Sequence, residues 1–188
     1  MVDLVVNEWI DQWIDAGQVE WISQFAQPVP QTVMANILGW PTEDLKLLKY
    51  YGDGTVKPFV YGSKHNNILP AEETKTQFEV LDEFRQYTAD LIKKKRKNPA
   101  EDMISFLTEV EYSPLKRKLH DLEINGIVYA MIIGGLETTQ YAISEQVQLL
   151  IERPTVWDEI KADRNKLRAF TEEGMRLRSP TQGLSTRI

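Results

Sequence analysis

The hexapeptide from Gly134 to Thr139, GGLETT, places two glycines, an acid and two hydroxyls inside a stretch with helical periodicity. A glycine in a helix interior costs roughly 0.5–1 kcal/mol relative to alanine, so two adjacent glycines indicate that their missing side chains serve a purpose. Thr138 follows Gly134 by four residues, which lets its hydroxyl reach back to that carbonyl and open or bend the helix. The pattern predicts a local notch beside an ionisable acid, Glu137.

An acid, a hydroxyl and a notch are the components of a proton-delivery site. Glu137 is expected to lie in a largely apolar layer, where its proton affinity depends strongly on its surroundings. A simpler interpretation stays open, in which the glycines permit a close helix crossing and the threonine hydroxyl bonds only to its own helix.

The helix that must position this hexapeptide is predicted to be long. Asp121 is suited to cap it, and no strong breaker follows until about Ile151, which gives a length of roughly 45 Å. Its central part, INGIVYAMIIGGL, is apolar almost all the way round. Such a helix is expected to pass through the middle of the molecule, enclosed by other helices.

The rest of the chain is also predicted to be mainly α, with almost no alternating strand pattern. Gly17 and Gly39 are predicted helix stops. The segment from Gly52 to Pro70, rich in glycine, proline and asparagine, is predicted to be a surface loop. Further helices are predicted over residues 5–14, 33–38, 42–51 and 72–97, with a short one in DMISFLTEVE.

Composition limits the possible classes of protein. The 188 residues are 42% hydrophobic, which favours one globular domain over residues 1–188. A formal net charge of −6 argues against a nucleic-acid partner. The chain has no cysteine, which excludes disulfides and thiol nucleophiles within it and favours the cytoplasm. The N-terminus lacks the basic residues of a signal peptide, and the longest apolar run, Ile127–Ile133, is far below the ~20 residues that cross a bilayer.

Two further features are ambiguous. The basic run KKKRK at residues 93–97 ends a predicted helix and complements its dipole. Docking of an acidic partner is one interpretation, and a solvated helix end is the simpler one. His65 and His120 have no other metal-ligand residues at a suitable spacing, so no metal site is predicted and both are expected at the surface or at helix caps.

A second motif follows 36 residues after the acid. Glu173 and Arg176 form an E-x-x-R, whose i,i+3 spacing lets carboxylate and guanidinium pair on one helix face. The helix is predicted to stop at Ser179-Pro180, before an extended stretch with Arg187. In this order, the motifs resemble the cytochrome P-450 superfamily, specifically its soluble bacterial haem-thiolate monooxygenases. Two further segments resemble the family, FAQPVPQTVMANILGWPTED and ERPTVWDEIKAD.

The resemblance implies roles for these positions. Glu137 and Thr138 would be the acid–alcohol pair that relays protons during oxygen activation. Gly134 and Gly135 would face the haem and leave room for oxygen. Glu173 and Arg176 would form a structural ion pair. Arg187 would pair with a haem propionate. The loop from Gly52 to Pro70, with its flanking helices, would be a lid over the substrate channel.

The resemblance also implies haem b, a small apolar substrate, O2 and a ferredoxin-type electron donor. The family's axial ligand, however, is a cysteine in a loop downstream of the point where this sequence stops, and the chain has none. The sequence is therefore interpreted as a central fragment of the family's fold that is inactive alone. One alternative is a haem-free helical scaffold derived from such an enzyme and used for binding or interaction. Another is haem ligation by His65 or His120.

Overall fold

The computed structural model describes residues 1–61, 69–114 and 116–181, without the side chains of residues 58–61. The chain is mainly α, as the sequence predicts. The helices are α1 (Val2–Asp11), α2 (Pro28–Leu38), α3 (Leu45–Tyr61), α4 (Ala71–Lys97), α5 (Met103–Glu109), α6 (Asp121–Gly135), α7 (Glu137–Glu152), α8 (Pro154–Ala162) and α9 (Lys166–Leu177). Two short strands, β1 (Glu111–Tyr112) and β2 (Arg117–Lys118), pair antiparallel. No helix of the described ranges is both long and apolar enough to cross a membrane.

The chain divides into two compact units. The middle unit comprises Gln31–Leu136, and the terminal unit comprises Met1–Pro30 together with Glu137–Ile188. The division falls inside the hexapeptide, between Leu136 and Glu137. The single domain over residues 1–188 stays a prediction.

The middle unit has an apolar core built by α2 to α6. The core side chains recur at helical spacing, so each helix turns one apolar stripe toward the others. Burial of these side chains removes apolar surface from water and is the main stabilising contribution to the unit. Members with no exposed surface are Ala35, Leu38, Leu48, Phe84, Ile92, Ile104, Ile124, Val128 and Ile132.

The predicted loop from Gly52 to Pro70 is wrong for its first half, because α3 continues to Tyr61. Two glycines of this stretch, Gly52 and Gly54, allow close packing of α3 against neighbouring side chains. A Cβ on Gly54 would lie 2.2 Å from Val80 Cγ1 of α4, and one on Gly52 would lie 2.8 Å from Leu136 Cδ1, directly after α6. The two glycines therefore bring α3 close to its neighbours. Residues 62–68 of the predicted lid, which include His65, lie outside the described residues.

The predicted helix stop at Gly39 is confirmed, because α2 ends at Leu38. The first helix already ends at Asp11, and Gly17 instead ends a short 3₁₀ turn at Ile14–Ala16. Both glycines have a positive φ, 65° at Gly17 and 72° at Gly39. Such positive φ angles strain other residues, because their Cβ would collide with the backbone. Gly39 has a second constraint, since a Cβ there would lie 2.2 Å from Asp102 Oδ2. The chain after α2 thus turns directly against the start of α5.

The end of α4 differs from the predicted solvated basic run. Lys95 forms an ion pair with Asp102 at 2.5 Å, in which the side chains are only 16% and 5% exposed. Arg96 donates to Asp121 Oδ1 at 2.8 and 3.0 Å, and to the carbonyls of Thr108 and Leu119, both at 3.0 Å. Lys95 and Arg96 therefore connect α4 to α5, to the segment after β2 and to the start of α6.

The terminal unit contains α1, α7, α8, α9 and a π-helical turn at Ile22–Ala26. Trp21 stacks on Phe25 of this turn, with ring centroids 4.6 Å apart, and Trp13 meets both rings edge-on. Arg178, just after α9, pairs with Glu145 at 3.2 Å and with Glu152 at 2.7 Å on α7. These contacts fix the start of the chain and the end of α9 within one unit.

Candidate functional site

The hexapeptide interrupts the predicted long helix. Helix α6 ends at Gly135, Leu136 takes φ −91° and ψ −75°, and α7 begins at Glu137. The Leu136 N–H donates to the Ile132 carbonyl at 3.3 Å, a long backbone hydrogen bond. The predicted distortion at GGLETT is confirmed, whereas a single continuous helix from Asp121 to Ile151 is not formed.

The two glycines have different surroundings. A Cβ on Gly135 would lie 2.1 Å from Met34 Cε of α2, so Gly135 allows close packing of α2 and α6. A Cβ on Gly134 would have no atom within 4 Å. Packing against Met34 thus accounts for Gly135, whereas no described side chain requires a glycine at position 134.

Helix α6 is buried on one side in the described chain. Ile124, Val128 and Ile132 are fully buried, four residues apart. The opposite stripe is exposed, and consists of Leu122, Gly126, Ala130 and Gly134. The enclosure predicted from the apolar sequence thus holds for one side of α6, and the other side is an exposed row of apolar and small residues.

The acid and the hydroxyl stand in the first turn of α7. Glu137 and Thr138 are half-buried, and Thr139 is exposed. Glu137 is the acidic residue of this first turn. The chain therefore places an ionisable group and a hydroxyl directly after the distortion at Leu136.

The E-x-x-R residues pair on α9. Arg176 donates to both carboxylate oxygens of Glu173, at 2.5 and 2.7 Å. The bidentate hydrogen bonds lower the pKa of Glu173 and raise the pKa of Arg176. Gly174 between them is buried, and a Cβ there would lie 2.3 Å from the Gln146 side-chain amide of α7. The motif therefore also sets how closely α9 approaches α7.

Three contacts near these motifs were not predicted from the sequence. They are made by Met34 on Gly135, by Gln146 on Gly174 and by Arg178 on α7. The two residues of each contact are far apart in the sequence, and no local sequence pattern predicts that they meet. Arg187 lies outside the described residues, so its role stays a prediction.

The residues present offer an apolar surface for a haem but no thiolate ligand for its iron. A flat apolar group requires an open apolar surface, and the exposed stripe of α6 around Gly134 provides one. A thiolate ligand cannot come from a chain without cysteine. Among the residues that the structure describes, no three His, Asp or Glu side chains come together in a way that could hold a metal ion.

Comparison with known proteins gives consistent results. The family model described as "Cytochrome P450" matches residues 47–181. A "Steroid C26-monooxygenase" of Mycolicibacterium smegmatis is 30% identical over 177 residues, which cover 93% of this chain and 42% of that protein. The "Biotin biosynthesis cytochrome P450" of Bacillus subtilis is 29% identical, covering 94% of this chain and 42% of the relative.

Solved structures share the fold. P450BioI, in complex with a hexadec-9Z-enoic acid ligated acyl carrier protein, matches with a TM-score of 0.86 and 27% identity over 96% of this chain and 44% of its own. CYP109E1 of Bacillus megaterium, in complex with testosterone, matches with a TM-score of 0.78 and 26% identity, covering 96% of this chain and 46% of its own. The chain spans less than half the length of these relatives. It belongs to the cytochrome P450 family and has the fold of the central part of that family's domain.

Proposed function

We propose that residues 1–188 are the oxygen-activating part of a haem-thiolate monooxygenase, which inserts one oxygen atom from O2 into a small apolar organic substrate. The observation that carries this proposal is the interruption of the helix at Leu136. Along the chain it follows Gly134, where a Cβ would meet no atom within 4 Å, and it precedes Glu137 and Thr138. A helix has no structural need for a glycine at a position where a side chain would meet nothing.

Haem supplies the oxygen chemistry when it is bound. Gly134 leaves room on the exposed side of α6, and the Glu137 carboxyl holds a proton that the Thr138 hydroxyl passes on. Arg187 is proposed to pair with a haem propionate. Glu173 and Arg176 are proposed to have a structural role as an ion pair.

The axial cysteine is proposed to lie outside residues 1–188, so that this chain alone does not catalyse the reaction. Electrons are proposed to come from a ferredoxin-type donor. The names of relatives support an apolar substrate, since they include a steroid monooxygenase and structures with testosterone and with a fatty acyl group.

An alternative function is a haem-free helical scaffold used for binding or interaction. The absence of cysteine from the sequence favours this alternative for the chain as it stands. The GGLETT hexapeptide favours the enzyme, because a binding scaffold needs neither the glycine beside open space nor the acid–alcohol pair.

The proposed proton delivery is tested by Thr138→Ala in the longer monooxygenase that contains these residues. Loss of the hydroxyl should divert electrons from product to hydrogen peroxide, because proton delivery is then no longer directed by Thr138. We expect product formed per O2 consumed to fall by about tenfold or more, as for loss of a positioned proton donor.

Two variants serve as controls. Thr138→Ser keeps a hydroxyl and should retain most of the coupling. Thr139→Ala removes the same group from the adjacent, exposed position and should leave coupling unchanged. Equal coupling in the two alanine variants would contradict the role of Thr138.

A further inference from the structure

A cluster of aromatic side chains lies in the middle unit, where the segment after α2 meets α3 and α4. Trp40 stacks on Tyr87 of α4, with ring centroids 4.6 Å apart. Tyr51 of α3 lies 5.8 Å from Tyr87 and 6.3 Å from Trp40. Tyr50 lies 5.6 Å from Tyr51. Tryptophan and tyrosine lose an electron more readily than other aromatic side chains, and electrons pass most easily between rings that are nearly in contact.

The cluster extends from the core to the surface. Trp40 and Tyr51 are 3% and 4% exposed, whereas Tyr50 is 45% exposed. A reductant in solution can therefore reach Tyr50 but not these two inner rings. Packing alone accounts for ring contacts of this kind. A redox role requires a further feature, which is a place for the proton that an oxidised tyrosine releases.

Asp44, directly before α3, provides a place for this proton. The Tyr87 hydroxyl donates to Asp44 Oδ2 at 2.5 Å. Burial, together with the hydrogen bond to Asp44 and the charge of Asp44, raises the pKa of Tyr87, so this side chain is a neutral phenol at neutral pH. Loss of one electron makes a phenol strongly acidic. The proton of an oxidised Tyr87 therefore passes to Asp44 along the existing hydrogen bond.

The indole of Trp40 has different surroundings. Its buried Nε1–H has no hydrogen-bond partner in the part of the chain that the structure describes. An oxidised Trp40 thus keeps its proton and a positive charge, which is costly in apolar surroundings. An electron is expected to move from Tyr87 to Trp40, because Trp40 then becomes neutral and the proton of Tyr87 neutralises Asp44.

We propose that Trp40, Tyr51 and Tyr87 form a redox relay, which holds an oxidising equivalent on Tyr87 and passes it to the surface by way of Tyr50. A strong one-electron oxidant takes an electron from the cluster, the Tyr87 O–H bond breaks, and the proton forms an O–H bond on Asp44. The products are a neutral phenoxyl radical at Tyr87 and a protonated Asp44. A thiolate in solution then gives one electron through Tyr50 and Tyr51 and becomes a thiyl radical, while Asp44 returns the proton.

The relay lies next to the interruption of α6. Tyr51 precedes Gly52, where a Cβ would lie 2.8 Å from Leu136 Cδ1. Under the proposed function, strong oxidants arise near this interruption, and the relay protects the core from those that do not reach the substrate. Only this use of the relay rests on the proposed function, because the redox chemistry of the cluster requires no haem and is tested without it.

Photo-oxidation of residues 1–188 tests the relay. A ruthenium trisbipyridyl sensitiser with persulfate supplies the one-electron oxidant, time-resolved absorption follows radical formation, and electron paramagnetic resonance of frozen samples identifies the radical. We expect a tyrosyl radical, most of which should be lost in Tyr87→Phe, since phenylalanine keeps the ring and removes the phenol. Asp44→Asn keeps an oxygen that accepts a hydrogen bond but takes up no proton, so radical formation should slow by about tenfold or more. Asp44→Glu should restore part of the rate.

Tyr112→Phe is the matched control, because Tyr112 is 49% exposed and lies in β1, outside the cluster. This variant should leave the radical yield unchanged, and circular dichroism checks that each variant folds. Peptide mass mapping of the same samples gives a second readout. Oxidation products of Trp40 should increase severalfold in Tyr87→Phe and in Tyr51→Phe, but not in Tyr112→Phe. No tyrosyl radical, equal yields in Tyr87→Phe and Tyr112→Phe, an unchanged rate in Asp44→Asn, or equal oxidation of Trp40 in all variants would overturn the inference.

Discussion

At the scale of single residues, Gly134 is the position where function and stability are expected to conflict. Because a side chain at Gly134 would meet nothing, alanine should gain the helix propensity that glycine lacks. We expect Gly134→Ala to raise the free energy of unfolding by about 0.5–1 kcal/mol, measured by urea denaturation. If the space beside Gly134 serves a bound molecule, the same change should impair turnover in the full monooxygenase.

Gly54→Ala is the matched comparison. Its new Cβ would lie 2.2 Å from Val80 Cγ1, and valine is β-branched and cannot easily move aside. We expect a loss of about 1–3 kcal/mol in the free energy of unfolding, as for other overpacked positions. Equal effects of the two alanine substitutions would show that the space beside Gly134 is not open.

The buried ion pair at Asp102 should matter more than the exposed pairs. Asp102 binds Lys95 and also accepts a hydrogen bond from the Ser105 N–H at 2.8 Å, which caps α5. Asp102→Ala leaves the Lys95 charge unpaired in a largely buried place and removes the cap. We expect the free energy of unfolding to fall by about 3 kcal/mol, measured by urea denaturation.

The control for that prediction is Glu172→Ala on α9. Its pair with Arg168 has side chains that are 64% and 89% exposed, so its removal should change stability by less than about 0.5 kcal/mol. A similar small effect for Asp102→Ala would mean that Lys95 and Asp102 are solvated, as the basic run of the sequence first suggests.

At the scale of elements, the start of α6 should be sensitive to acid. Hydrogen bonds from Arg117 and from the His120 N–H lower the pKa of Glu123 to about 2. An unfolded glutamate titrates near about 4.3, so this contribution to stability is fully present above that pH and is lost as the pH falls through about 2.

Glu123→Gln removes the titrating group and keeps an acceptor for the His120 N–H. The variant should be less stable than the unmodified chain at pH 6, and the difference in urea midpoint should shrink as the pH is lowered to 3. A difference that stays constant between pH 6 and pH 3 would contradict the assignment.

Elements with strong apolar periodicity could be predicted from the sequence, and elements set by distant partners could not. α4 begins and ends within a residue of its prediction, because its apolar positions recur regularly over 27 residues. Gly52 and Gly54 suggested a loop, since glycine usually marks flexibility. Their true role is close contact with Leu136 and Val80, which only the packed chain reveals.

For the candidate site, the local distortion could be predicted from the sequence, whereas the contacts with distant residues could not. The distortion at GGLETT follows from local chemistry, two glycines followed by a threonine at the reach of the preceding turn. The different surroundings of Gly134 and Gly135 could not be predicted, because they depend on Met34, which lies about a hundred residues earlier in the chain.

At the scale of the whole molecule, the chain matches its relatives over nearly all of its own length and less than half of theirs. The family's chemistry needs a thiolate, and these 188 residues contain no cysteine. Under the function proposed above, the thiolate ligand comes from residues that are not among these 188, and residues 1–188 provide helices of the fold but not the ligand.

The most direct measurement is the absorption spectrum with haem, reductant and carbon monoxide. It should be recorded for residues 1–188 and for the product of the complete reading frame to which they belong. We predict the red-shifted Soret band of thiolate ligation for the complete product and not for residues 1–188. Such a band from residues 1–188 alone, or its absence from the complete product, would contradict the proposal that these helices serve a haem-thiolate monooxygenase whose cysteine lies outside them.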